Sequence, residues 1–176
     1  MHIAIALLGL AGALGYYFWR MRASQAAATD LFDVANDVRL AARRFGFKRQ
    51  ANVHPVDSID DPRLGAAGIV MAIASLDHAV SQAEIDTAKL QCQVKFGISK
   101  QEADEIVTFG RWIADQCGSS SEAVRRLSKR VSYLAGDEAM PDLLDMSQAV
   151  ATAEGKGLDE YDREALATIR RIFKGR

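Results

Sequence analysis

Two short stretches of this chain concentrate carboxylates around a turn between helices. The first is Ala74-Ser75-Leu76-Asp77-His78-Ala79-Val80-Ser81-Gln82-Ala83-Glu84. The second is Ala151-Thr152-Ala153-Glu154-Gly155-Lys156-Gly157-Leu158-Asp159-Glu160-Tyr161-Asp162. In each, one acid closes a helix and another stands in the first turn of the next, so a tight connection can bring the pair together. Hard cations require several oxygen ligands at once. If the two turns pack side by side, Asp77, Glu84, Glu154 and Asp162 supply four carboxylates to one spot, and His78 adds a nitrogen that tilts the set towards a transition metal. A divalent metal ion is therefore the cofactor these residues suggest. The competing reading is capping. An acid in a helix's first turn favours the macrodipole and completes a capping box, which explains Glu84 and Asp162. Asp77 and Glu154 are less well explained, because an acid near a helix C-terminus is mildly unfavourable.

The elements that must position these acids are helical. Alanine, leucine, isoleucine and valine dominate the apolar content, aromatics make up 7%, and there are only three prolines in 176 residues. No stretch alternates at period two for long enough to form a strand. Punctuation is clear from Asp61 onward. Asp61-Pro62 is an N-cap followed by proline at the first helical position. Ser81 with Glu84, Ser99 with Glu102, and Ser119 with Glu122 read as capping boxes. Gly97, Gly118 and Gly136 stop the helices before and between them. Pro141 opens a further helix, and Asp159 opens the last, which ends near Lys174-Gly175. These signals predict about six helices after residue 61.

The two acidic stretches lie 77 or 78 residues apart, and each following helix ends in an aromatic and a glycine: Phe96-Gly97, then Phe173-Lys174-Gly175. A duplicated helical hairpin explains both. The fold class expected is all-α, a compact helical bundle built from two related hairpins.

In front of it the sequence predicts a single transmembrane helix. No charged residue precedes Arg20, and Ile3 to Trp19 is an unbroken apolar, glycine and tyrosine run. Seventeen residues at a rise of ~1.5 Å give roughly 25 Å, at the short end of a span. Tyr16, Tyr17 and Trp19 suit the interface. Arg20, Arg22, Arg39, Arg43, Arg44, Lys48 and Arg49 follow against Asp30, Asp33 and Asp37, a net of +4. By the positive-inside rule this predicts a single-pass topology with the C-terminal domain cytoplasmic; the membrane expected is a bacterial-type inner membrane. A cleaved leader ending near Ala26-Ala27-Ala28 is the rival reading. The expected organisation is an anchor over 1–19, a basic juxtamembrane helix over 20–49, a linker over 50–60 and a helical domain over 61–176.

The two turns resemble those of the TerB-like domain of tellurite-resistance proteins, whose pattern runs alanine, acid, glycine, any residue, aliphatic, cap, two residues, glutamate. The same domain stands at the N-terminus of DjlA-type membrane co-chaperones. The resemblance covers residues 60–175 and implies an all-helical bundle whose acidic turns are metal-binding positions. Asp77 and Glu84 match the first turn; Glu154 and Asp162 match the second. His78 departs from the pattern by standing where it has glycine, Glu154 replaces aspartate, and the second turn is one residue longer, so that Asp162 lies eight residues after Glu154 where Glu84 lies seven after Asp77. The implied function is a binding or scaffold module in envelope, metal or tellurite stress. The alternative is a DjlA-like chaperone-pathway adaptor without its own J-domain. His54-Pro55-Val56-Asp57 resembles the His-Pro-Asp loop of J-domains, but the valine breaks the tripeptide.

The partners expected are membrane lipid, other proteins, and a second copy through the glycine-bearing side of the anchor. A net charge of −1 gives no global pull towards nucleic acid. There is no phosphate loop, no Gly-x-Ser-x-Gly elbow and no His-Glu-x-x-His, so no catalytic residues and no enzymatic activity are expected. Cys92 and Cys117 read as buried thiols. Arg125, Arg126, Lys129 and Arg130 form one basic helix face.

Overall fold

The structure is a computed structural model and describes residues 38–175. Residues 38–44 are helical. A 3-10 turn follows at Pro55–Ser58, and six α-helices occupy the rest. These are α1 (Pro62–Ala74), α2 (Gln82–Phe96), α3 (Lys100–Asp115), α4 (Ser120–Ala135), α5 (Met140–Ala151) and α6 (Glu160–Lys174). A second 3-10 turn, Asp137–Ala139, leads into α5. No strand occurs among the described residues.

Helix α1 is the centre of the bundle. Every residue from Leu64 to Ala74 is buried, as expected of a helix that is apolar all round. It packs most extensively against α3 and α4 and also meets α5. Glycines set that closeness. A Cβ placed at Gly110 of α3 would lie 2.7 Å from the Ala67 carbonyl carbon and 2.8 Å from its oxygen. The two backbones are therefore in contact, and only glycine fits between them. The hairpins α1–α2 and α5–α6 adjoin through α2 and α5 and through α1 and α5. Lys95 of α2 secures that junction with its ammonium 2.7 Å from Asp142 and 3.0 Å from Asp145.

The caps form largely as the sequence predicts. Asp61 accepts from the Arg63 amide, and Ser81/Glu84 and Ser99/Glu102 form reciprocal capping boxes. Asp159/Asp162 forms another. At α4 only half of the expected box exists: Ser119 accepts from the Glu122 amide, while the Glu122 carboxylate turns to Arg125 and Arg126, each at 2.6 Å. Two guanidiniums outcompete one backbone N–H for a carboxylate, because charge-assisted bonds are the stronger. The basic face of α4 is thereby partly neutralised, and Arg130 donates to the Ile59 carbonyl at 2.6 Å.

The expected anchor, residues 1–19, and the start of the basic segment lie outside the described residues. Among the described residues no helix is long and apolar enough to cross a membrane. The most apolar of them, α1, has 13 residues. That is about 20 Å of helix, against the roughly 20 residues a span requires, and its apolar surface is spent on α3 and α4. The placement as a single-pass inner-membrane protein is corrected accordingly.

Residues 45–59, on either side of the start of the expected linker, pack onto the domain. Phe45, Val56 and Ile59 are buried. Phe47 meets Phe109 edge-on, with ring centroids 5.0 Å apart, and Trp112 at 5.8 Å. Arg44 pairs with the buried Glu105 at 2.8 Å. His54 accepts from the Val56 amide and caps the 3-10 turn, and its other ring nitrogen lies 3.2 Å from the Gln116 carbonyl. The His-Pro-Val-Asp segment is thus tied into the fold by its histidine.

Candidate acidic pocket between two turns

The α1–α2 and α5–α6 connections meet at one end of the bundle. A cavity of about 100 Å³ lies there, lined by Asp77, His78 and Glu84 from the first and by Glu154, Lys156, Asp159 and Asp162 from the second. All four acids predicted from the sequence line it, and so does His78. Its position follows from the caps. The Ser81/Glu84 and Asp159/Asp162 boxes fix where each second helix begins, and thereby place Glu84 and Asp162. These two are the pocket's buried acids, 4% and 9% exposed. Asp77, His78, Glu154 and Lys156 stand at its exposed rim.

The carboxylates are partly engaged. Glu84 accepts from the Ser81 amide through Oε2 at 2.7 Å. Its Oε1 lies 3.9 Å from His78 Nε2, which is also 3.3 Å from Asp77 Oδ1. His78 Nδ1 is 3.1 Å from the Ala79 carbonyl. That hydrogen bond, with the charges of Glu84, Asp77 and Glu154, raises the imidazole above its ordinary pKa. Lys156 Nζ sits 2.6 Å from Glu154 Oε2. This ammonium, and then the Ser81 hydroxyl reaching across from the other turn, hold Glu154 below the usual carboxylate range. Asp162 goes the other way. Burial disfavours its charged form, and the neighbouring charges of Asp159 and Asp77 push in the same direction.

Five carboxylates therefore face one lysine and one histidine. Charge of that excess in a recess is favourable only to a cation. The donor chemistry fits a hard divalent ion: the carboxylates supply oxygens, and the imidazole is the single nitrogen. As the side chains stand, however, no three His, Cys, Asp or Glu among the described residues converge on one point in the manner of a formed metal centre. Two residues of the pocket, Asp159 and Lys156, were not singled out from the sequence as site residues. Asp159 reads simply as an N-cap, and Lys156 as a turn residue between two glycines. The signal for both was their place inside a turn already singled out for its acids.

The cysteines lie elsewhere. Cys92 and Cys117 are both free and buried. Burial pushes the Cys92 thiol up to about 12 and raises Cys117 as well. Neither is a reactive thiolate at neutral pH.

No curated protein and no solved structure matches the chain. A family model does, described as tellurite resistance protein TerB, over residues 63–174. That stretch runs from the first turn of α1 to the last residue of α6 and takes in both acidic connections. With well over half of its length matched, and with an all-helical bundle in the matched region, the chain belongs to the TerB family.

Proposed function

We propose that this protein is a TerB-type binding module of the tellurite or metal stress response that takes a divalent cation in its acidic pocket. The observation that carries this reading is the meeting of carboxylates from two turns more than 70 residues apart in sequence around one cavity. Capping explains Glu84 and Asp162 one at a time. It does not explain why Asp77 and Glu154, each against the unfavourable end of a helix, face the same recess. Asp77, Glu84, Glu154 and Asp162 are the ligands proposed, with Asp159 beside them. An oxygen-rich set of this kind prefers calcium to zinc. A bound cation would offset the mutual repulsion of the carboxylates and tie the α1–α2 connection to the α5–α6 connection. The chaperone-adaptor reading draws on an anchor in front of the domain that falls outside the described residues, and no contact in the domain favours it.

The test is the thermal unfolding of the full chain with calcium, manganese or zinc. Ion at a hundred times its Kd stabilises the fold by about 2.7 kcal/mol. Asp77→Asn combined with Glu154→Gln should abolish the rise while leaving the melting temperature without ion intact or higher. No rise with any ion would refute the proposal.

A further inference from the structure

We propose that Lys156 is a tethered counter-cation that competes with a divalent ion for the carboxylates of the pocket and so sets the ion concentration at which the pocket fills. The inference rests on the cation-binding reading above and deepens it. Lys156 belongs to the acidic connection itself. Its ammonium lies 2.6 Å from Glu154 Oε2, and it is also held in its charged form by Asp77 and Glu84 of the other connection. It therefore bridges electrostatically the same two turns that a divalent ion would join. The only other cationic side chain lining the cavity is His78, so Lys156 is the permanent positive charge in the recess.

The lysine is free to leave. Its side chain is 69% exposed, so moving its head group into water costs little burial. It is flanked by Gly155, in the left-handed region at φ +75°, and by Gly157, and a Cβ added at either would meet nothing within 4 Å. The connection around it is thus open to a change of side-chain direction. A divalent ion that uses Glu154 must displace the ammonium from Oε2 or bind beside a like charge, and either is an electrostatic cost to binding. An exposed lysine pair is weak by itself, so the expected role is to lower affinity without closing the pocket.

The experiment compares the full-length chain with Lys156→Gln, and with Lys174→Gln as a control for net charge. Lys174 ends α6 and does not line the cavity. Calcium binding is measured by isothermal titration calorimetry, and the ion's effect on melting temperature is followed in parallel. Circular dichroism confirms that each variant folds. The proposal predicts that Lys156→Gln tightens the calcium Kd on the order of tenfold at low ionic strength, whereas Lys174→Gln changes it less than twofold. The gap should shrink in high salt. Equal affinity of the natural chain and Lys156→Gln overturns the lysine proposal and leaves cation binding standing. Equal tightening by Lys174→Gln also overturns it, since net charge would then be the cause. Binding by Lys156→Gln alone overturns both, since the natural chain would then take no ion and the lysine would close the pocket rather than set its affinity. No binding by either protein overturns both.

Discussion

Replacing Gly110 by alanine tests whether the bundle depends on backbone contact between α1 and α3. The added Cβ would lie 2.7 Å from the Ala67 carbonyl carbon, 2.8 Å from its oxygen and 3.0 Å from the Gly68 nitrogen. Carbon atoms in ordinary contact stand about 3.5–4.0 Å apart, so the two helices would have to separate locally by roughly 1 Å. All three obstructing atoms are backbone and cannot rotate away. The separation would loosen the packing of buried neighbours on both helices, among them Leu64, Ile106, Phe109 and Ile113. Overpacking of this kind costs up to about 3 kcal/mol, and alanine returns about 1 kcal/mol of helix propensity, for a net loss of about 2 kcal/mol. In a domain of this size that lowers the melting temperature by roughly 6–10 °C. Gly68→Ala is the internal comparison. Its Cβ would meet the Ile113 and Leu127 side chains at 2.8 and 2.9 Å. Those methyl groups can shift, so the loss should be smaller. Gly157→Ala meets nothing within 4 Å and should stay within about 0.5 kcal/mol of the parent. Thermal unfolding by circular dichroism ranks the three. A Gly110→Ala protein that melts with the parent would refute the close-contact argument.

Phe47→Ala should destabilise the domain by about 2 kcal/mol, because it removes a partly buried ring from the cluster with Phe109 and Trp112; urea unfolding followed by Trp112 fluorescence measures it, and an unchanged midpoint would show that residues 45–59 do not brace the fold. Glu122→Gln should lower the melting temperature at pH 7, because Arg125 and Arg126 hold the Glu122 carboxyl down to about 2. A folded-state pKa below the unfolded value contributes stability above pH ~4.5 that is lost as the pH falls towards 2. Parent and variant should therefore converge over that window, and sooner in high salt, as melting curves at stepped pH would record. A gap that persists at pH 2 would mean that the pair acts through packing.

Much of this architecture is legible in the residues because the signals are local. Serine or aspartate three positions before an acid, proline at a first turn and glycine after a last one report on backbone groups within a few residues. They located the starts of α1, α2, α3 and α6 and the stops at Gly97 and Gly136. Glu122 shows the limit. Its spacing from Ser119 is that of a capping box, but the choice between one amide and two guanidiniums depends on side-chain competition that spacing does not encode. The packing of residues 45–59 was hidden for a related reason. Val56 and Ile59 are isolated among polar residues and a proline, and their burial comes with the packing of this turn against α4, which lies far away in sequence. In the pocket, the internal repeat brought Asp77, Glu84, Glu154 and Asp162 to notice together. It said nothing of which charges answer them. Lys156 comes from one copy of the repeat only, and the first connection has Ala79 at the corresponding position, so comparison of the copies could not mark it as part of a shared site.

Calorimetric titration of the full-length chain with calcium tests the central claim most directly. Binding of one ion per chain that disappears in Asp77→Asn/Glu154→Gln is the predicted result. A flat titration, or binding that survives intact in the double variant, would contradict it.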